Sequence, residues 1–130
     1  MNLLLDTHIL IWWLDESSRL RASVRTALER PENRIWVSAI SIWEISIKVS
    51  VGRLRMTEPA EERIAWLLER GRQSLAVTFD HAFAVRRLPL HHGDPFDRML
   101  IAQAQCENLT LVTADPAILA YDVRAIDATR

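Results

Sequence analysis

The most constraining feature of the chain lies at its amino end, where Leu3-Leu4-Leu5 stops at Asp6 and apolar residues resume at Ile9. A carboxylate set among so much hydrocarbon is costly unless it is paired, hydrogen-bonded or bound to a cation. The run from Asn2 to Leu5 is too short for a helix and reads as a buried strand. The same kind of unit recurs: Arg34–Val37, Leu75–Thr78 and Leu109–Thr113 are further strand candidates, with helical stretches between them. Strands alternating with helices argue for βαβ units around a mostly parallel sheet, the α/β class.

The helical stretches have readable ends. A short, very apolar helix starts at Thr7, and Ser17 or Ser18 is placed to cap a second, with Leu20, Val24 and Leu28 along one face. Pro59–Arg72 carries Ile64, Leu67 and Leu68 at helical spacing and ends near Gly71. Asp80–Leu88 is a short helix before Pro89. Pro95–Glu107 is a longer one, with Asp94 at the N-cap and Pro95 at the first helical position. Pro116–Tyr121 and Val123–Ile126 read as a short helix and an edge strand. Ser38–Val51 fits two patterns. Ile45, Ile47, Val49 and Val51 alternate with polar residues as in a strand, and periodicity favours that reading slightly. As a helix, Ile40, Trp43, Ile47 and Val51 form one stripe with Glu44 in its middle, and the carboxylate then needs a purpose.

The 130 residues suit a single domain, residues 1–130, able to bury a core without staples. Sixteen basic and seventeen acidic side chains nearly cancel, so any nucleic-acid binding must use a local patch. The lone Cys106 leaves no internal disulfide and suits a reducing cytosol. The longest apolar run, Ile9 to Leu14, is too short to span a bilayer, and no basic segment precedes it as in a signal peptide. A cytoplasmic protein with no membrane partner is the expectation.

Asp6 follows the first strand, Asp115 follows the fourth, and Asp94 and Asp97 open the long helix. Each aspartate taken singly is explained by capping. Together they mean more, because a parallel sheet lines up the carboxyl ends of its strands along one edge, where ligand sites form. Carboxylates gathered there repel one another unless some are protonated or a cation binds. Oxygen donors with no matched His or Cys suit Mg²⁺ or Mn²⁺, and such ions commonly act on phosphate esters.

Asp6 in LLLDTHILIWWL, Glu44 in VSAISIWEISIK, Asp97 in HGDPFDRMLIAQA and Asp115 in LTLVTADPAI resemble, in order and spacing, the acidic motifs of PIN-domain ribonucleases. The likeness is greatest to the VapC-like toxins of type II toxin–antitoxin pairs, and it runs from residue 1 to about 118. It implies a three-layer α/β/α sandwich with a central, mostly parallel sheet, and helical structure around Glu44, against the strand reading. It implies metal-dependent endonucleolytic cleavage of RNA, commonly tRNA or ribosomal RNA, and a cognate antitoxin. By matching position, Asp6, Glu44 and Asp97 would be the core metal-binding acids and Asp115 the fourth, direct or through water. Thr7 and Ser41 flank matching motifs and are expected to hydrogen-bond the carboxylates, while Asp94 reads as the helix cap that supports Asp97. Hydrolysis by metal-activated water needs no 2′-hydroxyl, so the expected ends are 5′-phosphate and 3′-hydroxyl.

Arg86, Arg87, His91, His92 and Arg98 cluster around the start of the acidic helix and are candidates for RNA phosphate contacts. His8, one turn into the first helix, reads as structural. Trp36 and Trp43 are expected in the core. Trp12, Trp13 and Trp66 lie on segments more apolar than one core-facing stripe requires, which suggests a homodimer contact or an antitoxin groove. The alternatives are a PIN nuclease for RNA processing without an antitoxin, or a catalytically inactive PIN-like binding module. A phosphatase with Asp6 as nucleophile, of the haloacid dehalogenase type, needs a second Asp where this chain has His8.

Overall fold

The computed structural model describes residues 1–130. Leu3 and Leu5 point to one side of the first strand and Leu4 to the other, and all three are buried. That strand, β1 (Asn2–Leu5), is therefore interior, and it lies at the centre of a five-stranded sheet in the order β3-β2-β1-β4-β5. The neighbours are β2 (Arg34–Ser38), β3 (Gln73–Leu75), β4 (Thr110–Thr113) and β5 (Ala125–Asp127). Every pairing is parallel.

Each crossover carries helix. On the Leu3/Leu5 face pack α1 (Thr7–Leu14), α2 (Ala22–Glu29) and, through Leu67, α4 (Ala60–Glu69). On the Leu4 face pack α5 (Phe79–Val85), α6 (Pro95–Glu107) and α7 (Pro116–Leu119). α3 (Ala39–Ser50) contributes Ile45 to the first cluster and Ile40 to the second. The result is the α/β/α sandwich expected. No helix is long and apolar enough to cross a membrane.

Several boundaries differ from expectation for physical reasons. α2 starts at Ala22 behind Arg21, without a side-chain cap, because Ser17 instead accepts the Arg19 amide within its own loop. β3 ends at Leu75, before the expected Thr78, because Thr78 caps α5: it accepts the His81 amide while His81 Nδ1 accepts the Thr78 amide. β5 is displaced to Ala125–Asp127 by pairing with Leu111–Thr113. Gly71, at φ +87°, turns the chain out of α4 as its position suggested.

α3 carries the largest correction. It is a helix throughout, capped by Ser38, whose hydroxyl accepts the Ile40 amide. Its buried face is Ile40, Ser41, Glu44 and Ile45, whereas Trp43, Ile47 and Val51 of the expected stripe are exposed. Trp43 is 60% exposed and so is not a core residue. Trp36 is half-buried against the Leu4-side cluster, Trp13 is buried, Trp12 is half-buried and Trp66 is exposed. The apolar excess is therefore real, but it sits on Trp43 and Trp66 rather than Trp13.

Candidate functional site

The strand order reverses direction between β1 and β4: successive crossovers from β1 run toward β3, and the chain then returns to place β4 on the other side. Such a switch point opens a crevice at the carboxyl ends of the two strands. The Leu5–Val112 register continues one step, with the Asp6 amide donating to the Val112 carbonyl at 3.0 Å. Asp6 and Thr113 thus meet at the crevice, and Thr113 Oγ1 donates to Asp6 Oδ2 at 2.6 Å. Asp6 Oδ1 accepts the His8 amide at 3.1 Å, so Asp6 also caps α1. Thr113 Oγ1 in turn accepts the Asp115 amide, and Asp115 caps α7 through the Ala117 amide.

Asp94 caps α6 by accepting the amides of Phe96 and Asp97, which sets Asp97 in the first turn. Asp97 is buried, and His92 Nε2 lies 3.2 Å from its Oδ2. Two ties hold α3, which carries Glu44, against the starts of α1 and α6. Ser41, one turn earlier, accepts a hydrogen bond from Thr7 Oγ1 at 3.0 Å, and Trp43 meets Phe96 edge-on with ring centroids 5.6 Å apart. Glu44 is 3% exposed; Lys48 Nζ donates to its Oε2, and its buried Oε1 has no hydrogen-bond partner.

The electrostatics are those of a crowded acidic edge. Burial pushes the Asp6 carboxyl above its ordinary value, against the opposing Thr113 and His8 hydrogen bonds, and the Asp115 charge adds to the rise. Asp97 is pushed up to about 7, by burial first, then by Asp94 and by the charges of Asp6 and Asp115. Asp6, Asp97 and Asp115 therefore sense one another. As the side chains stand, no three His, Cys, Asp or Glu groups converge to hold a metal ion.

Three expectations need correcting. Thr7 and Ser41 bond each other rather than the carboxylates, because they form the clasp between α1 and α3. Arg98 is not available to RNA. It is buried, and its guanidinium donates to the carbonyls of Val85, Leu88 and Pro89 and to Tyr121 Oη, pinning the loop after α5 onto α6. His8 packs no core: its side chain is exposed, with Nδ1 4.0 Å from Asp6 Oδ1. Arg86 and Arg87 are exposed just after α5, with Arg86 over the Phe83 ring.

Sequence reasoning missed Thr113, Lys48 and His92 as partners of the acids, and Tyr121 behind His92. Thr113 was readable, since the residue ending β4 falls opposite Asp6, the residue that follows β1. Lys48 was readable from its four-residue spacing to Glu44, once α3 is a helix. Nothing in the sequence signals Tyr121, which reaches His92 and Arg98 from beyond α7.

The PIN domain model matches residues 3–124 of this chain. The chain belongs to the PIN domain family. Among proteins of this family it is similar to the ribonuclease VapC22 of Mycobacterium tuberculosis, 32% identical over 115 residues that make up 88% of this chain and 87% of the relative. The PIN fold recurs in solved structures. VapBC2 from Rickettsia felis, bound to a DNA fragment from its promoter, gives a TM-score of 0.71 at 18% identity, covering 97% of this chain and 98% of that one. A toxin–antitoxin complex from Klebsiella pneumoniae gives 0.64 at 24% identity, with 96% of each chain covered.

Proposed function

We propose that this PIN domain is a divalent-cation-dependent endoribonuclease, the toxin of a type II toxin–antitoxin pair. The observation that carries the proposal is the state of the buried acids: Glu44 Oε1 lacks any partner, and Asp97 sits near 7 among like charges. Buried polar groups are normally satisfied, so a buried carboxylate oxygen left bare, and an aspartate crowded by like charges, both call for a cation. The all-oxygen donor set suits Mg²⁺ or Mn²⁺, which touch one or two carboxylates and keep several waters. A site whose acids do not yet converge is compatible with that mode of binding.

Asp6 and Asp97 would hold the ion, Glu44 would reach it through Oε1, and Asp115 would act directly or through water. When bound, the ion supplies charge stabilisation at the scissile phosphate and a water of lowered pKa. The chain's own residues set the conditions. Thr113 fixes the Asp6 carboxylate through Oδ2, and His92 fixes Asp97 through the same kind of contact. Asp97, partly protonated at neutral pH in the ion-free protein, must release its proton when the ion binds. Lys48 offsets the charge of Glu44 at Oε2 and leaves Oε1 for the site.

The antitoxin half of the proposal is supported by the relatives' complexes and by an apolar face. Ile42, Trp43, Ile64, Leu68 and Leu75 line a groove of about 510 Å³ between α3, α4 and the β3 edge. Phe79, Phe83 and Leu90 form further exposed apolar surface, which suits a homodimer contact. With an RNA substrate and an antitoxin partner, the proposed work would be cytoplasmic. Induced expression, with sequencing of cellular RNA ends, tests the reading: new ends and growth arrest are expected from the wild type. Equal ends from Asp6→Asn would contradict it.

A further inference from the structure

A second polar cavity, of about 520 Å³, opens beside the acidic edge and is not part of it. It lies between one face of α1, the loop after α1, and the end of α3 with the turn that follows it. His8, Trp12, Ser17, Arg19, Lys48 and Arg53 are among its lining residues. Two of these also touch the acids: His8 stands 4.0 Å from Asp6, and Lys48 bonds Glu44. The cavity therefore shares a wall with the crevice.

Its charge is positive by construction. Gly52, at φ +75°, reverses the chain after α3, and the Arg53 amide returns to the Lys48 carbonyl at 2.8 Å. That reversal puts Arg53 next to Lys48, facing Arg19 from the opposite loop. The only acid in the lining, Asp15, is occupied by the Thr57 amide and hydroxyl. Neither Arg19 nor Arg53 has an ion-pair partner, and both are exposed. Trp12, half-buried with His8 tilted against it at 6.3 Å, supplies an aromatic wall.

We infer that this cavity seats one nucleotide of the RNA strand beside the cleaved bond, its phosphate on Arg19 and Arg53 and its base against Trp12. Guanidinium forks match phosphate oxygens two at a time, and base–aromatic stacking tolerates any base. The cavity is within the size range of small-ligand sites. The inference rests on the nuclease reading of the acids and moves the RNA path from Arg86, Arg87 and Arg98 to the α1–α3 side.

The test is anisotropy of a 5′-fluorescein-labelled, mixed-sequence single-stranded RNA, titrated with the protein in Ca²⁺ at several salt concentrations. The pair Arg19→Ala and Arg53→Ala should weaken binding about tenfold or more and reduce the salt slope by about 0.7, the value for one neutralised phosphate on a single strand. Arg19→Lys with Arg53→Lys should recover the slope but only part of the affinity. Trp12→Leu should weaken binding with the slope unchanged. In Mg²⁺ the alanine pair should raise KM and leave kcat within about twofold. Unchanged affinity and slope in the alanine pair would overturn the inference and leave those cations to an acidic protein partner. The two readings fail separately. Wild-type protein that binds RNA with this arginine dependence yet never cuts it would overturn the nuclease reading and keep the pocket. Cleavage by wild type, with the alanine pair binding equally well, would do the reverse.

Discussion

Asp97 and Arg98 are adjacent on α6, both are buried, and they are satisfied in opposite ways. Arg98 has four acceptors for its guanidinium, three of them backbone carbonyls. Asp97 has one imidazole contact and three acidic neighbours that raise its pKa. On the proposed reading, the difference separates a structural charge from a working one. A buried ion whose hydrogen bonds are complete holds the fold together. One left short of partners costs stability and is kept for a ligand that is not part of the chain.

Removing each member of the pair should break different things. Asp97→Asn or Asp6→Asn should cut RNA cleavage by about a thousandfold or more, equivalent to some 4 kcal/mol of transition-state stabilisation. The urea midpoint should stay level or rise, since a repelling charge is gone. Arg98→Ala should instead destabilise by about 3 kcal/mol, because carbonyls buried under the guanidinium lose their donors. A lowered urea midpoint at unchanged m-value is the readout. A stable Arg98→Ala protein that fails only in cleavage would erase the contrast.

The pH dependence sharpens it. With the ion chelated by EDTA, Asp97 holds its proton to about 7 when folded, against the ordinary 3.8 when unfolded. Between those values the folded state binds more protons, so stability is greatest below about 4 and falls as pH rises through 7. Relative to Asp97→Asn, the wild type should lose on the order of 2 kcal/mol across that window, allowing for solvent screening. Parallel stability profiles for the two proteins would show that Asp97 is not strained by its neighbours. The smallest effect is expected at the support beneath Asp6. Thr113→Val removes the hydroxyl that holds Oδ2 and should raise the Mg²⁺ concentration needed for half-maximal cleavage about tenfold, with the fold intact.

Much of this was legible in the sequence, and unevenly. β1 and α6 were read to the residue, since an unbroken apolar run and an Asp-Pro cap are local signals that tertiary contacts do not overrule. The edge position of Asp6 and Asp115 followed from parallel strands alone, and the switch point between β1 and β4 then brought them together. α3 was misread by periodicity because Ile45, Ile47, Val49 and Val51 alternate. Its buried face carries Ser41 and Glu44 beside Ile40 and Ile45, which leaves Trp43, Ile47 and Val51 outside. Arg98 was misassigned for a related reason: charge is visible in a sequence, but its three carbonyl partners are not.

The central claim is that the acids at the β1/β4 switch point form one cation-dependent centre for cutting RNA. Its most direct test is the chemistry of the ends made by purified protein, in Mg²⁺ and in EDTA. Ends bearing 5′-phosphate and 3′-hydroxyl in Mg²⁺, with cleavage lost in EDTA, are the predicted result. A 2′,3′-cyclic phosphate, or undiminished cleavage in EDTA, would contradict the account.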